Sequence, residues 1–315
     1  MDLVLLRRLV LSLVGLGLLV ADVYRHYRAD IARAYDRVAD GGQVVETACG
    51  LVQYTEFGSG APVLMIHGAG GGYDQGAYFA QLLGGGYRWI APSRFGYLGT
   101  PVPEDASSEL QADAYACLLN ALDIDRVGVV GVSGGGPSAL LFALRHADRT
   151  TGLVMIDAVS HSMPVRPAYL NTLFSVFTND FIFWSLTHIS KGGLLAALGV
   201  PKADQKQLSA ADLNEAYAFL DTILPMKPRR AGQVLEQSMS EYNAAEIGQI
   251  GVPTLVVHAR NDTLVGFDQG SYTAEMVTGA QFISMETGGH LAIMFGANAG
   301  GLNSVRQFLG KRNSF

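Results

Sequence analysis

The sequence predicts an α/β protein: a doubly wound, mostly parallel sheet with a helical segment inserted late in the chain. Three observations carry this. Short apolar runs alternate with amphipathic helix-like stretches up to Val159. The junctions between them are rich in glycine, of which the chain has 38. After Val159 the sequence turns wholly helix-like, and the alternation resumes only at Thr254. Because the sheet pattern returns, the insert reads as a cap over the strand ends. The expected organisation is an N-terminal segment 1–40, a core made of 41–159 and 250–315, and a cap at 160–249.

The N-terminus differs in character from the rest. Leu9 to Ala21 is an unbroken apolar run that follows Arg7 and Arg8 and ends at Asp22. Alone it is too short for the roughly 30 Å hydrocarbon core of a bilayer. Leu3 to Leu6 extend the span if the two arginines snorkel. No small-residue cleavage site follows, since Leu19 stands where one is needed in Leu19-Val20-Ala21. An uncleaved membrane anchor is therefore expected, with a cleaved signal and a secreted or periplasmic product as the alternative. Arginines flank the run on both sides, so the positive-inside rule sets no orientation. Ala21 to Asp40 reads as a stalk, or as a helix packed on the domain.

Gln43–Cys49 and Leu51–Phe57 alternate with period two around Gly50, as in a hairpin. Pro62–Ile66 is apolar throughout, like a buried parallel strand, and runs into His67-Gly68-Ala69-Gly70-Gly71-Gly72. A helix (76–83), a strand (87–91), a loop and a second helix (106–122) follow. Next come a strand at 126–130, a helix at 137–146 and a strand at 151–157. Cap helices are expected at 169–177, 181–189, 193–198, 211–224 and 231–238. After them come a strand at 254–258, a helix at 266–276, a strand at 281–285 and a last helix at 291–309.

The chain has 315 residues, 49% of them hydrophobic, enough for one large core. Its net charge of −6 and the lack of a basic run argue against nucleic acid as a partner. Cys49 and Cys117 have neither zinc-site spacing nor a disulfide framework, and read as two buried small apolar residues.

Gly131-Val132-Ser133-Gly134-Gly135 lies between a strand-like and a helix-like run. There a G-x-S-x-G pentapeptide makes a sharp turn that exposes a serine hydroxyl, and the flanking glycines let strand and helix approach closely. A serine needs an oriented base. Of seven histidines, His290 is the best placed, after Gly288-Gly289 and between the last strand and the last helix. His67 reads as a loop-structuring residue and His258 as a core or supporting one. The base in turn needs a carboxylate. Asp262 is favoured and Asp157, at the end of the strand after the serine's helix, is the alternative acid. The structural alternative for Asp262 is a helix N-cap or turn aspartate. The backbone N–H groups of Gly134 and Ala69 are the expected oxyanion donors.

The order Ser133, Asp262, His290, with His67-Gly68 upstream and Ser93-Arg94-Phe95-Gly96-Tyr97 between, resembles the α/β-hydrolase superfamily from about Gln43 onward. In the last motif Ser93 stands where that family has aspartate. The resemblance implies an eight-stranded sheet, a cap after strand six, an acyl-serine mechanism and no cofactor. The subset most resembled is the bacterial serine esterase, C–C hydrolase and cofactor-free haloperoxidase group, so a bacterial inner membrane is the expected location. The glycine run Gly70 to Gly72 lacks nucleotide-binding spacing, and no metal ligands are expected.

The function expected is hydrolysis of a small ester or related carbonyl compound with an apolar acyl part. C–C hydrolysis or haloperoxidase chemistry on the same triad, and a non-catalytic ligand-binding role, are the alternatives. Tyr73, His161, Phe174 and Phe177 are candidate pocket residues, with Phe181 and Trp184 as further apolar candidates. Oligomeric state is not legible.

Overall fold

The computed structural model describes residues 3–163 and 178–312. Eight strands form one sheet in the order β1-β2-β4-β3-β5-β6-β7-β8. They are β1 (Gln43–Thr47), β2 (Gly50–Phe57), β3 (Ala61–Ile66), β4 (Tyr87–Pro92), β5 (Val127–Val132), β6 (Thr150–Ile156), β7 (Thr254–Ala259) and β8 (Gln281–Met285). β1, β2 and β4 pair antiparallel and the remaining neighbours pair parallel. This is the mostly parallel eight-stranded sheet that the resemblance implies.

The central strands are apolar throughout because both faces are covered. Val63, Met65, Val130, Val132 and Val154 enter one core. The alternate residues Leu64, Ile66, Val129, Leu153 and Met155 enter the other. Helices α2 (Tyr73–Leu83), α3 (Ser108–Ala121) and α4 (Gly136–Arg145) connect the strands. Ser107 caps α3 by accepting the Leu110 N–H at 3.2 Å.

The N-terminal helix α1 runs unbroken from Leu3 to Asp40. Among the described residues it is the one helix long and apolar enough to cross a membrane. Its turns from Leu3 to Val20 are exposed, whereas Ile31, Ala34 and Val38 are buried against the domain. Asp74 ties it down, pairing with Arg37 of α1 and with the fully buried Arg229. Burial alone would raise the Asp74 carboxyl, but the charges and hydrogen bonds of Arg229 and Arg37 overcome it and hold it at about 2.

Between β6 and β7 lie α5 (Asp180–Ile189), α6 (Lys191–Ala197), α7 (Ala210–Thr222) and α8 (Arg230–Met239). The helix expected at 169–177 falls outside the described residues. After β7 comes α9 (Phe267–Met276). The last helix, α10, is Ala299–Arg312 and starts later than expected. Residues 289–294 and 296–298 form short 3-10 turns instead, because Phe295 between them takes an extended backbone.

Two side-chain expectations are corrected. Cys49 and Cys117 are joined in a disulfide, with Cα atoms 5.9 Å apart. Neither is buried, since Cys49 sits in the exposed β1–β2 turn and Cys117 on a half-exposed position of α3. Helix α3 packs on β1 and brings them together across 68 residues, which no local spacing reveals. Phe181 and Trp184 meet Tyr27 of α1, with ring centroids 5.0 and 5.5 Å away, and so fasten α5 to the stalk.

Candidate active site

Ser133 follows β5 directly and has φ 51°, a left-handed backbone that a side chain rarely adopts. The turn is tight on both sides. A Cβ on Gly131 would lie 2.6 Å from Ala139 Cβ, and one on Gly135 the same distance from the His67 carbonyl oxygen. These are the close approaches that exclude larger residues.

His290 Nε2 lies 2.9 Å from Ser133 Oγ, and His290 Nδ1 lies 2.6 Å from Asp262 Oδ2. All three side chains are buried. The other Asp262 oxygen accepts from the N–H groups of Leu264 (2.8 Å) and Val265 (3.0 Å). Asp262 is therefore a turn aspartate and the partner of His290 at once; the turn aims the carboxylate. Burial pulls the His290 imidazole down, but the hydrogen bond and charge of Asp262 raise it above its ordinary value.

The loop carrying His290 is held by residues that sequence reasoning missed. Asp204 Oδ2 accepts from the Gly288 N–H (2.5 Å) and from Asn261 Nδ2 (2.6 Å), and Asn261 Oδ1 accepts from the Gly289 N–H (3.0 Å). The His290 N–H donates to the Gly199 carbonyl at 3.1 Å. Asp204 and Gly199 lie in the insert, far from His290 in sequence, and carry no motif.

Asp157 ends β6 beside β7 with φ 42°. Its Oδ1 accepts the Ala259 N–H at 2.7 Å, and its Oδ2 has no hydrogen-bond partner among the described residues. Burial pushes its carboxyl up to about 8, with the Asp262 charge adding to the rise and His290 opposing it. It is thus protonated at neutral pH and does not hold the histidine. Asp157, His258 and Asp262 could bring one ligand atom each within 4.8 Å of the others. His258 Nε2 is already donating to the Val265 carbonyl (3.0 Å), and both Asp262 oxygens are taken.

The loop after β3 passes over the serine. A Cβ on Gly68 would meet Ser133 Cβ at 2.8 Å, and one on Gly134 would lie 3.3 Å from the Ala69 nitrogen. The Gly134 N–H is in the first turn after β5, where N–H groups lack intrahelical partners. His67 braces the loop: its Nδ1 donates to the Gly68 carbonyl (2.7 Å) and its Nε2 accepts the Arg94 N–H (2.9 Å). Burial drives its pKa well down, so it is neutral.

The pocket expectations change. Tyr73 is buried and turned away from the serine, its hydroxyl donating to the Val38 carbonyl at 2.8 Å, because Gly41 and Gly42 leave room for its ring under the end of α1. His161 faces α9, with its Nε2 3.3 Å from Asp268 and its ring 5.0 Å from that of Tyr272. Phe174 and Phe177 lie outside the described residues.

A family model described as the alpha/beta hydrolase fold matches residues 61–297. The chain belongs to that family. A relative in Paraburkholderia xenovorans, a 2-hydroxy-6-oxononadienedioate/2-hydroxy-6-oxononatrienedioate hydrolase, is 31% identical over 74% of this chain and 81% of its own. Among solved structures, an alpha/beta hydrolase fold protein from Nakamurella multipartita superposes with TM-score 0.73 at 29% identity, covering 86% of this chain and 98% of that one. A bacterial membrane phospholipase A is similar in fold over the whole of both chains, with TM-score 0.61 and 21% identity. As an α/β hydrolase, the chain has relatives that cleave carbon–carbon bonds and structural neighbours that are esterases.

Proposed function

We propose that this α/β hydrolase is a membrane-tethered serine hydrolase acting on an ester or related carbonyl compound. The observation that carries the reading is the continuous chain Ser133 Oγ–His290–Asp262, at 2.9 and 2.6 Å, beside the Ala69 and Gly134 N–H groups. Ser133 Oγ attacks the carbonyl carbon as His290 Nε2 takes its proton. Nδ1–H donates to Asp262, which stabilises the imidazolium. The carbonyl oxygen becomes an oxyanion that accepts from Ala69 and Gly134. Collapse of the tetrahedral species expels the leaving group, which takes the proton from His290. Water, deprotonated by the same imidazole, then releases the acid and restores Ser133. No bond change in this sequence calls for an added group.

C–C hydrolysis on the same residues is the second reading, favoured by the 31% identical Paraburkholderia relative. A fluorophosphonate probe and a substrate panel test the two. Ser133 should be labelled, and Ser133→Ala should abolish turnover. Turnover of simple esters with none of a 2-hydroxy-6-oxo-dienoate supports the esterase reading, and the reverse supports the C–C reading. An unlabelled Ser133 would remove both.

The exposed apolar half of α1 and the Cys49–Cys117 disulfide support a bacterial inner-membrane anchor with the hydrolase outside the cytoplasm, where disulfides persist. A signal peptide is the alternative, and extraction of the native protein by an alkaline wash would favour it. The alignment with the membrane phospholipase A covers the whole of both chains, which makes bilayer-derived esters a sensible first panel.

A further inference from the structure

Helix α8 turns two polar side chains toward the oxyanion donors. Glu236 Oε1 accepts from Arg94 Nη1 at 2.9 Å and from the Tyr97 hydroxyl. Its other oxygen, Oε2, lies 3.5 Å from Arg94 Nη2 and faces Gly134: a Cβ on that glycine would be 2.5 Å from Oε2 and 3.3 Å from the Ala69 nitrogen. A carboxylate oxygen therefore stands at the edge of the oxyanion hole. Arg94 and Tyr97 are buried, so the balancing guanidinium lies behind the carboxylate, bonded most closely to Oε1. One turn earlier, Gln233 is buried, and its Oε1 has no donor among the described residues. Its Nε2 would lie 3.4 Å from a Cβ on Gly70, next to Ala69 in the oxyanion loop.

A negative charge here repels an anion that, unlike the oxyanion, has no backbone donors of its own, and a lone buried acceptor calls for a donor. We infer that Glu236 and Gln233 form a substrate subsite beside the scissile carbonyl that excludes anionic groups and takes a neutral hydrogen-bond donor such as a hydroxyl. This deepens the serine-hydrolase reading and rests on it. It separates this chain from enzymes whose substrates are named as dienoates and dioates, which carry carboxylates.

The test uses the full chain in detergent micelles and three fluorophosphonates of equal chain length, ending in methyl, hydroxyl or carboxylate. Second-order rates of Ser133 labelling are compared within each variant, so loss of folded protein cancels in the ratios. In the wild type the carboxylate probe should react slower than the methyl probe by about tenfold or more, and the hydroxyl probe faster. Glu236→Gln, which keeps an acceptor for Arg94 and Tyr97, should close most of the methyl-to-carboxylate gap. Gln233→Leu should remove the hydroxyl advantage and leave the charge gap. Equal wild-type rates for the three probes overturn the subsite alone, and so does a charge gap that survives Glu236→Gln. A carboxylate probe that reacts fastest also overturns it, since the anion would then have displaced Glu236 and paired with Arg94. No labelling by any probe overturns the serine-hydrolase reading itself, and the subsite with it.

Discussion

Asp157 and Asp262 follow neighbouring parallel strands, and their carboxylates lie close together in one buried pocket, yet only Asp262 bonds to His290. The two differ in backbone supply. Asp262 receives two N–H groups at one oxygen and the imidazole at the other. Asp157 receives one N–H and keeps its proton, which also spares Asp262 a like charge.

The first prediction concerns the acid side of the rate profile. In the proposed mechanism His290 takes the serine proton only when neutral, and its pKa is raised above the ordinary value near 6.5. The rate should therefore fall as pH drops through a midpoint above that value. Asp262→Asn should cost about 10³–10⁴ in kcat, by loss of the imidazolium's partner. Steady-state kcat/KM against pH for the two proteins checks both. An acid limb below the ordinary histidine value would contradict the proposed charge pairing.

Asp157 makes the opposite kind of prediction, one about stability. Its folded pKa, about 8, lies above the unfolded value near 3.9. Its contribution is fully present below pH 4 and is lost as pH rises through 8. Asp157→Asn cannot ionise, so it should be more stable than the wild type at pH 8–9 and lose that advantage in acid. Thermal melts across this range read the difference. A parallel pair of curves would show that Asp157 is ionised in the native state.

The Asp74 pair predicts the reverse sign. Its folded pKa is depressed to about 2, so it stabilises above pH 4, and that contribution is lost as pH falls toward 2. Asp74→Ala would leave the buried Arg229 guanidinium without its partner, at a cost of about 3–5 kcal/mol. It would also release Arg37, loosening the end of α1. Urea melts measure the first effect, and proteolysis near residue 40 measures the second.

The disulfide predicts a redox-dependent stability. Cys49→Ser with Cys117→Ser should lower stability by about 2–4 kcal/mol, by freeing the unfolded chain. A reductant should lower the wild-type melting temperature and leave the double variant unchanged. Mass spectrometry after alkylation under native conditions should find neither cysteine modified.

Whatever depends on neighbours along the chain was legible in the sequence. The two-residue period of buried strands, the glycine turns, the G-x-S-x-G elbow and the order Ser133, Asp262, His290 are local patterns, because backbone geometry imposes them over a few residues. They were enough for the alternating strands and helices and for Ser133 and His290, while the single eight-stranded sheet came from the family resemblance those motifs carry. Tertiary structure alone decided where side chains of distant segments point. It turned Tyr73 under α1 and His161 toward α9, joined Cys49 to Cys117, and brought Asp204 to the histidine loop and Glu236 to Gly134. It also chose Asp262 over Asp157, two residues equal in type and similar in position along their strands. The choice rests on the turn after β7, whose two N–H groups aim one carboxylate at His290, whereas burial pushes the proton affinity of the other up.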